Sequence, residues 1–134
     1  MQKILRGELS AVEAYEKVIE RNGSHVHFST LAQIKSEHEF AINRLRQMIT
    51  EKGEFPSEDS GVWGRFVKAL IAGSALISDE TMIKTLHEGE EHGLIEYQQF
   101  LDMGPLASEE EQVRSYFIPA QERHISQLMN SRPF

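Results

Sequence analysis

The 134-residue sequence contains no cysteine, which removes disulfides, thiolate metal ligands and thiol nucleophiles at once. It also lacks long apolar runs. No segment approaches the roughly 20 residues that a membrane-spanning helix needs, and Met1-Gln2-Lys3 passes directly into an amphipathic pattern instead of the apolar core of a secretory signal. Positive charge is scarce, with 14 Lys and Arg against 21 Asp and Glu and a formal charge of −7. Nucleic acid and anionic membranes recruit concentrated basic residues, so neither is an expected partner. Strand-like alternation, Asn-Gly hairpin signals, glycine-rich phosphate loops and nucleophile motifs are missing as well. These absences leave a soluble, cytoplasmic, all-α protein as the expectation, its acidic surplus spread over solvated helix faces. The length suits a single domain over residues 1–134 with its own core.

Apolar residues recur at helical spacing in four long stretches. Ile4, Leu5, Ala11, Val12, Tyr15, Val18 and Ile19 predict a first helix over residues 2–21, stopped by Asn22-Gly23. Leu31, Ile34, His38, Ala41, Ile42, Leu45, Met48 and Ile49 predict a second over 28–52, ended by Gly53. The Pro, Ser, Asp and Gly content of 54–61 marks a connection, and Trp63, Phe66, Val67, Leu70, Ile71 and Leu76 predict a short bridging helix. Ser78 is an N-cap for a third long helix over 79–102, closed by Gly104-Pro105. Ser108 with Glu111 reads as a capping box for the fourth, which runs towards Asn130 with Pro119 expected to kink it. The result is a four-helix bundle of two antiparallel hairpins. Its long central crossover lets the third helix start at the end where the second began.

One stretch occurs twice. Gly7-Glu8 is followed by Tyr15, and Gly89-Glu90 by Tyr97, and a seven-residue step returns to nearly the same helix face. Glu8 therefore lies between Ile4 and Val12, and Glu90 between Leu86 and Leu94, both on buried stripes. His38 and His124 hold the same place on the second and fourth helices. Counted from the two hairpin turns at about 1.5 Å per residue, all four fall within about one turn of a common level. A buried carboxylate must protonate, pair or bind a cation. Two solutions fit: a single divalent metal such as iron, manganese or zinc, which accepts Glu oxygen and His nitrogen, or a metal-free network of Glu, His and the Tyr15 and Tyr97 hydroxyls.

With Leu5-Arg6-Gly7-Glu8, Glu37-His38, Gly89-Glu90-Glu91 and Gln121-Glu122-Arg123-His124 in these places, the chain resembles the ferritin-like superfamily. It is most similar to that superfamily's DUF2383 branch, and the likeness extends over nearly the whole chain. The resemblance implies a ferritin-like bundle in which Glu8 and Glu90 match the single glutamates, and His38 and His124 the histidines of two Glu-x-x-His motifs, of a di-iron site. The motif glutamates themselves are replaced by Lys35 and Gln121. That departure implies a reduced or absent metal site and no established enzymatic activity, with Tyr15, Tyr97, Lys35 and Gln121 as surrounding residues. Glu37 and Glu122 stand about 100 degrees off the inward stripe, and a kink near Pro119 is what could turn Glu122 in. An active iron-handling or oxidase protein of the same fold is the alternative. A third reading is a homo-oligomer or interaction module using exposed Phe28, Phe40, Phe55 or Phe134. His25 and His27 are expected in solvent, and Trp63, Phe66 and Phe117 in apolar packing.

Overall fold

A computed structural model describes residues 1–21, 28–59 and 78–130. The expected bridging helix with Trp63 and Phe66, the Asn22-Gly23 stop, His25, His27 and Phe134 lie outside the described residues. Four long helical stretches are present, and among the described residues there is no strand: α1 (Gln2–Arg21), α2 (Phe28–Glu51), α3 (Asp79–Asp102), and a final stretch of α4 (Ala107–Gln112), a π-helical turn (Val113–Phe117) and α5 (Ile118–Asn130).

The boundaries follow local chemistry. Ser78 caps α3, its hydroxyl accepting the Thr81 N–H at 3.2 Å. Gly53 and Gly104, with φ of 80° and 71°, end α2 and α3 in the left-handed region that a side chain disfavours. The expected cap at Ser108 is displaced. The helix begins at Ala107, and Glu109 is the residue that reaches back, its carboxylate accepting the Leu106 N–H at 3.0 Å. Glu109 is buried and meets Lys52 Nζ at 3.2 Å, so it ties the α3–α4 turn to the end of α2. The irregularity expected at Pro119 is a widened turn just before it, in which the Ile118 N–H bonds to the Val113 carbonyl. Proline's ring would collide with the carbonyl four residues earlier, and a π turn moves that carbonyl aside. Phe117 at its end and Ala120, His124 and Leu128 beyond it stay buried, whereas Glu122 remains exposed.

Two apolar clusters make the core. One joins Ala14, Tyr15 and Val18 of α1 with Leu31 and Ile34 of α2, Met82, Ile83 and Leu86 of α3, and Leu128 of α5. The other joins Ile4 and Leu5 with Leu45 and Ile49 of α2, Tyr97 of α3, and Val113 and Phe117. The end of α1 and the start of α2 thus share one end of the bundle with the start of α3. α3 therefore starts at the end of the bundle where α2 begins. Between the two clusters lies a polar layer.

Candidate functional site: a buried Glu–His layer

Each helix delivers one inward ionisable residue to that layer, at a position its apolar neighbours fix by period. Glu8 is 5% exposed, and His38, Glu90 and His124 are 2% exposed each, so none can rely on water to carry its charge. His38 bridges the two carboxylates, Nδ1 standing 2.5 Å from Glu8 Oε2 and Nε2 2.6 Å from Glu90 Oε1. Both ring nitrogens face anionic acceptors, which requires both to be protonated, the imidazolium form. Burial pushes the imidazole pKa down, but the facing Glu90 and Glu8 charges outweigh it, and the group is held well above its ordinary value. Burial likewise acts to raise Glu90, but the His38 cation and the nearby His124 ring dominate and bring it down to about 2.

The tyrosines cross between hairpins. Tyr15 of α1 donates its hydroxyl to Glu90 Oε1 of α3 at 2.6 Å, and Tyr97 of α3 donates to Glu8 Oε1 of α1 at 2.5 Å. Repeat symmetry is therefore realised as an exchange, each half supplying the phenol for the other half's carboxylate. Burial first, then the adjoining carboxylates, push both phenols well above the usual tyrosine range. They remain donors at every physiological pH.

His124 differs. Its Nδ1 lies 3.4 Å from Glu90 Oε2 and its Nε2 3.4 Å from Glu37 Oε1. Both nitrogens, and Glu90 Oε2 itself, are buried without a hydrogen bond. Its ring stacks obliquely on His38, centroids 4.7 Å apart. Donor atoms of His38, Glu90 and His124 all fall within 4.8 Å of one another. Glu8 stands outside that trio, on the far side of the His38 ring.

Residues around the layer take distinct places. Gln121, buried, donates its amide to the Glu90 backbone carbonyl at 3.0 Å. That close approach needs Gly93, where a Cβ would come within 2.5 Å of the Gln121 amide nitrogen. Lys35 turns away from the layer to Glu16 and Glu39, at 3.7 and 3.5 Å, so its charge is spent at the surface. Glu37, half-buried, pairs with Arg123 as well as facing His124; burial pushes its pKa up, but the Arg123 hydrogen bond and the His124 ring leave it below its ordinary value.

A cavity of about 330 Å³ opens between α1 and α3 and reaches Glu8, His38 and Glu90. Glu96 lines it, 8% exposed. Sequence periodicity did not single out Glu96, although its neighbour Tyr97 marks the inward face. Its burial depends on Gly7 across the cleft, where a Cβ would lie 2.8 Å from Glu96 Oε1. The signal was a glycine on α1 facing an acid on α3, legible only once the two helices are paired.

Residues 1–103 match the model of a family described as a domain of unknown function, DUF2383. The chain belongs to that family. No curated protein and no solved structure matches it.

Proposed function

We propose that the protein is a metal-binding bundle of ferritin-like architecture holding one divalent transition metal, rather than a di-iron enzyme. His38 Nε2, which releases its proton to solvent as the ion binds, a Glu90 oxygen and His124 Nδ1 are the ligands, and Glu8 orients His38 through Nδ1, as carboxylates behind ligating histidines do. The observation that carries the reading is the set of three buried polar atoms, Glu90 Oε2 and both nitrogens of His124, that lack hydrogen bonds within one compact cluster. Native interiors leave few such atoms, and an ion is one way to satisfy them. Charge points the same way: two buried carboxylates face the single His38 cation. Two nitrogens and one carboxylate suit iron, manganese or zinc.

A dinuclear site fits poorly. Two metals need about four carboxylates, and the two further places are filled by Lys35, committed to surface glutamates, and by Gln121, committed to a backbone carbonyl. We infer no catalytic role, and the bound metal serves in storage, sensing or stabilisation of the fold. The second reading is a metal-free structural network. The closed set of hydrogen bonds among Glu8, His38, Glu90, Tyr15 and Tyr97 favours it. Elemental analysis of protein purified without chelator separates these. One metal per chain, lost in Glu90→Gln with the helical fold retained, is expected. Two irons per chain with an oxo-type absorption band would establish the dinuclear alternative, and a metal-free chain the network.

A further inference from the structure

The cavity between α1 and α3 is not accounted for by a sealed metal site. It runs from exposed Lys3 and His92 inward to Glu8 and Glu90, and one water occupies roughly 30 Å³ of liquid, so its volume of about 330 Å³ admits a cation with its hydration shell. Along its wall, carboxylates outnumber cations: Asp59, Glu96, Glu8 and Glu90 against Lys3, Arg6 and the His38 imidazolium. Glu96 sits midway. It is buried, and its ion-pair partner among the described residues is His92, one helical turn earlier, at 3.6 Å, too long for a hydrogen bond. A nearly buried carboxylate with an imidazole at i−4, facing a water-sized space, is a transient oxygen-and-nitrogen station for a divalent ion. Gly7 keeps room for it, since any Cβ there would strike Glu96 Oε1.

We infer that the α1–α3 cleft is the path by which a divalent cation reaches the buried layer, and that Glu96 with His92 forms an outer binding station on that path. This rests on the single-metal reading above. Opposite it, the Glu37–Arg123 ion pair bridges α2 and α5 beside His124.

The test is stopped-flow uptake of Co²⁺ by the metal-stripped full chain, followed by cobalt ligand-field absorption, with the final stoichiometry measured separately. Glu96→Gln conserves shape and is expected to slow uptake by about tenfold, the low end of electrostatic steering effects, with one Co²⁺ still bound at the end. Gly7→Ala, crowding the station, should slow it in the same direction. Arg123→Ala should leave the rate unchanged. Unaltered uptake in Glu96→Gln, or faster uptake in Arg123→Ala, overturns the path while the single-metal reading stands. Failure of the wild-type chain to bind Co²⁺ overturns both.

Discussion

His38 and His124 occupy equivalent positions in the two hairpins and are equally buried, yet their surroundings differ in kind. His38 is clamped between two carboxylates within 2.6 Å on either side. His124 approaches two carboxylates no closer than 3.4 Å and makes no hydrogen bond. A duplicated pattern has thus yielded one histidine clamped as a cation between two carboxylates and another held at ion-pair distance from two, without a hydrogen bond to either. On the single-metal proposal, losing the first should cost the fold most and losing the second should cost chiefly the bound ion, and substitutions at each should separate the two effects.

The largest effect is expected at the clamped residue. His38→Leu leaves Glu8 and Glu90 buried together without their cation, and breaking a buried pair in this way costs about 3–5 kcal/mol; chemical denaturation should show that loss, or no folded state at all. Retention of wild-type stability would mean the carboxylates find other partners and would erase the contrast with His124.

Acid should act through the same clamp. Glu90 titrates at about 2 in the folded chain against 4.5 for an ordinary glutamate, so its contribution is present above about pH 4.5 and is lost as pH falls towards 2. At about 1.4 kcal/mol per unit that amounts to about 3 kcal/mol. His38 runs in the opposite sense: with its folded pKa raised above 6.5, its contribution is complete below pH 6.5 and fades as pH rises through the higher folded value. The metal-stripped chain should therefore be most stable between about pH 4.5 and 6.5 as far as this pair governs it. Thermal unfolding across pH in chelator measures this, and a stability that climbs steadily from pH 6 to 10 would contradict it.

Tyr15→Phe and Tyr97→Phe each deprive one carboxylate of its phenol donor. Each should cost about 1.5–3 kcal/mol, the range for a hydrogen bond to a charged group, and the crossed pairing predicts that the two losses couple through His38 in a double-mutant cycle. Strict additivity would argue that the two halves of the layer are independent. The smallest effect is expected at the surface: Arg123→Ala breaks an ion pair whose arginine is half exposed, which should cost about 0–1 kcal/mol.

Much of this was legible before the chain was folded. The bounds expected for the first and third helices are those of α1 and α3, on a clean apolar period and, for α3, a Ser cap. The inward direction of Glu8, His38, Glu90 and His124 followed from the same period. What the period could not supply was pairing. It placed Tyr15 on the Glu8 stripe, whereas the phenol bonds across the bundle to Glu90. Lys35, three residues before His38, looked close to the layer but is long enough to reach the Glu16 and Glu39 carboxylates at the surface,. Glu109 as a buried capping residue and Glu96 beneath Gly7 depend on which helix packs against which. A single helix's pattern does not encode that.

If His124 serves a metal, His124→Leu should separate metal binding from folding. Thermal unfolding of the wild-type chain and of this variant should be compared in chelator and then with Zn²⁺ or Mn²⁺ in excess. In chelator His124→Leu should cost clearly less than the about 3–5 kcal/mol expected for His38→Leu, since His124 faces Glu90 and Glu37 only at 3.4 Å. With metal the wild type alone should gain, by about 2.7 kcal/mol at a hundredfold excess over the dissociation constant. Equal stabilisation of both chains by metal, or a large loss of stability in chelator from His124→Leu alone, would contradict the account.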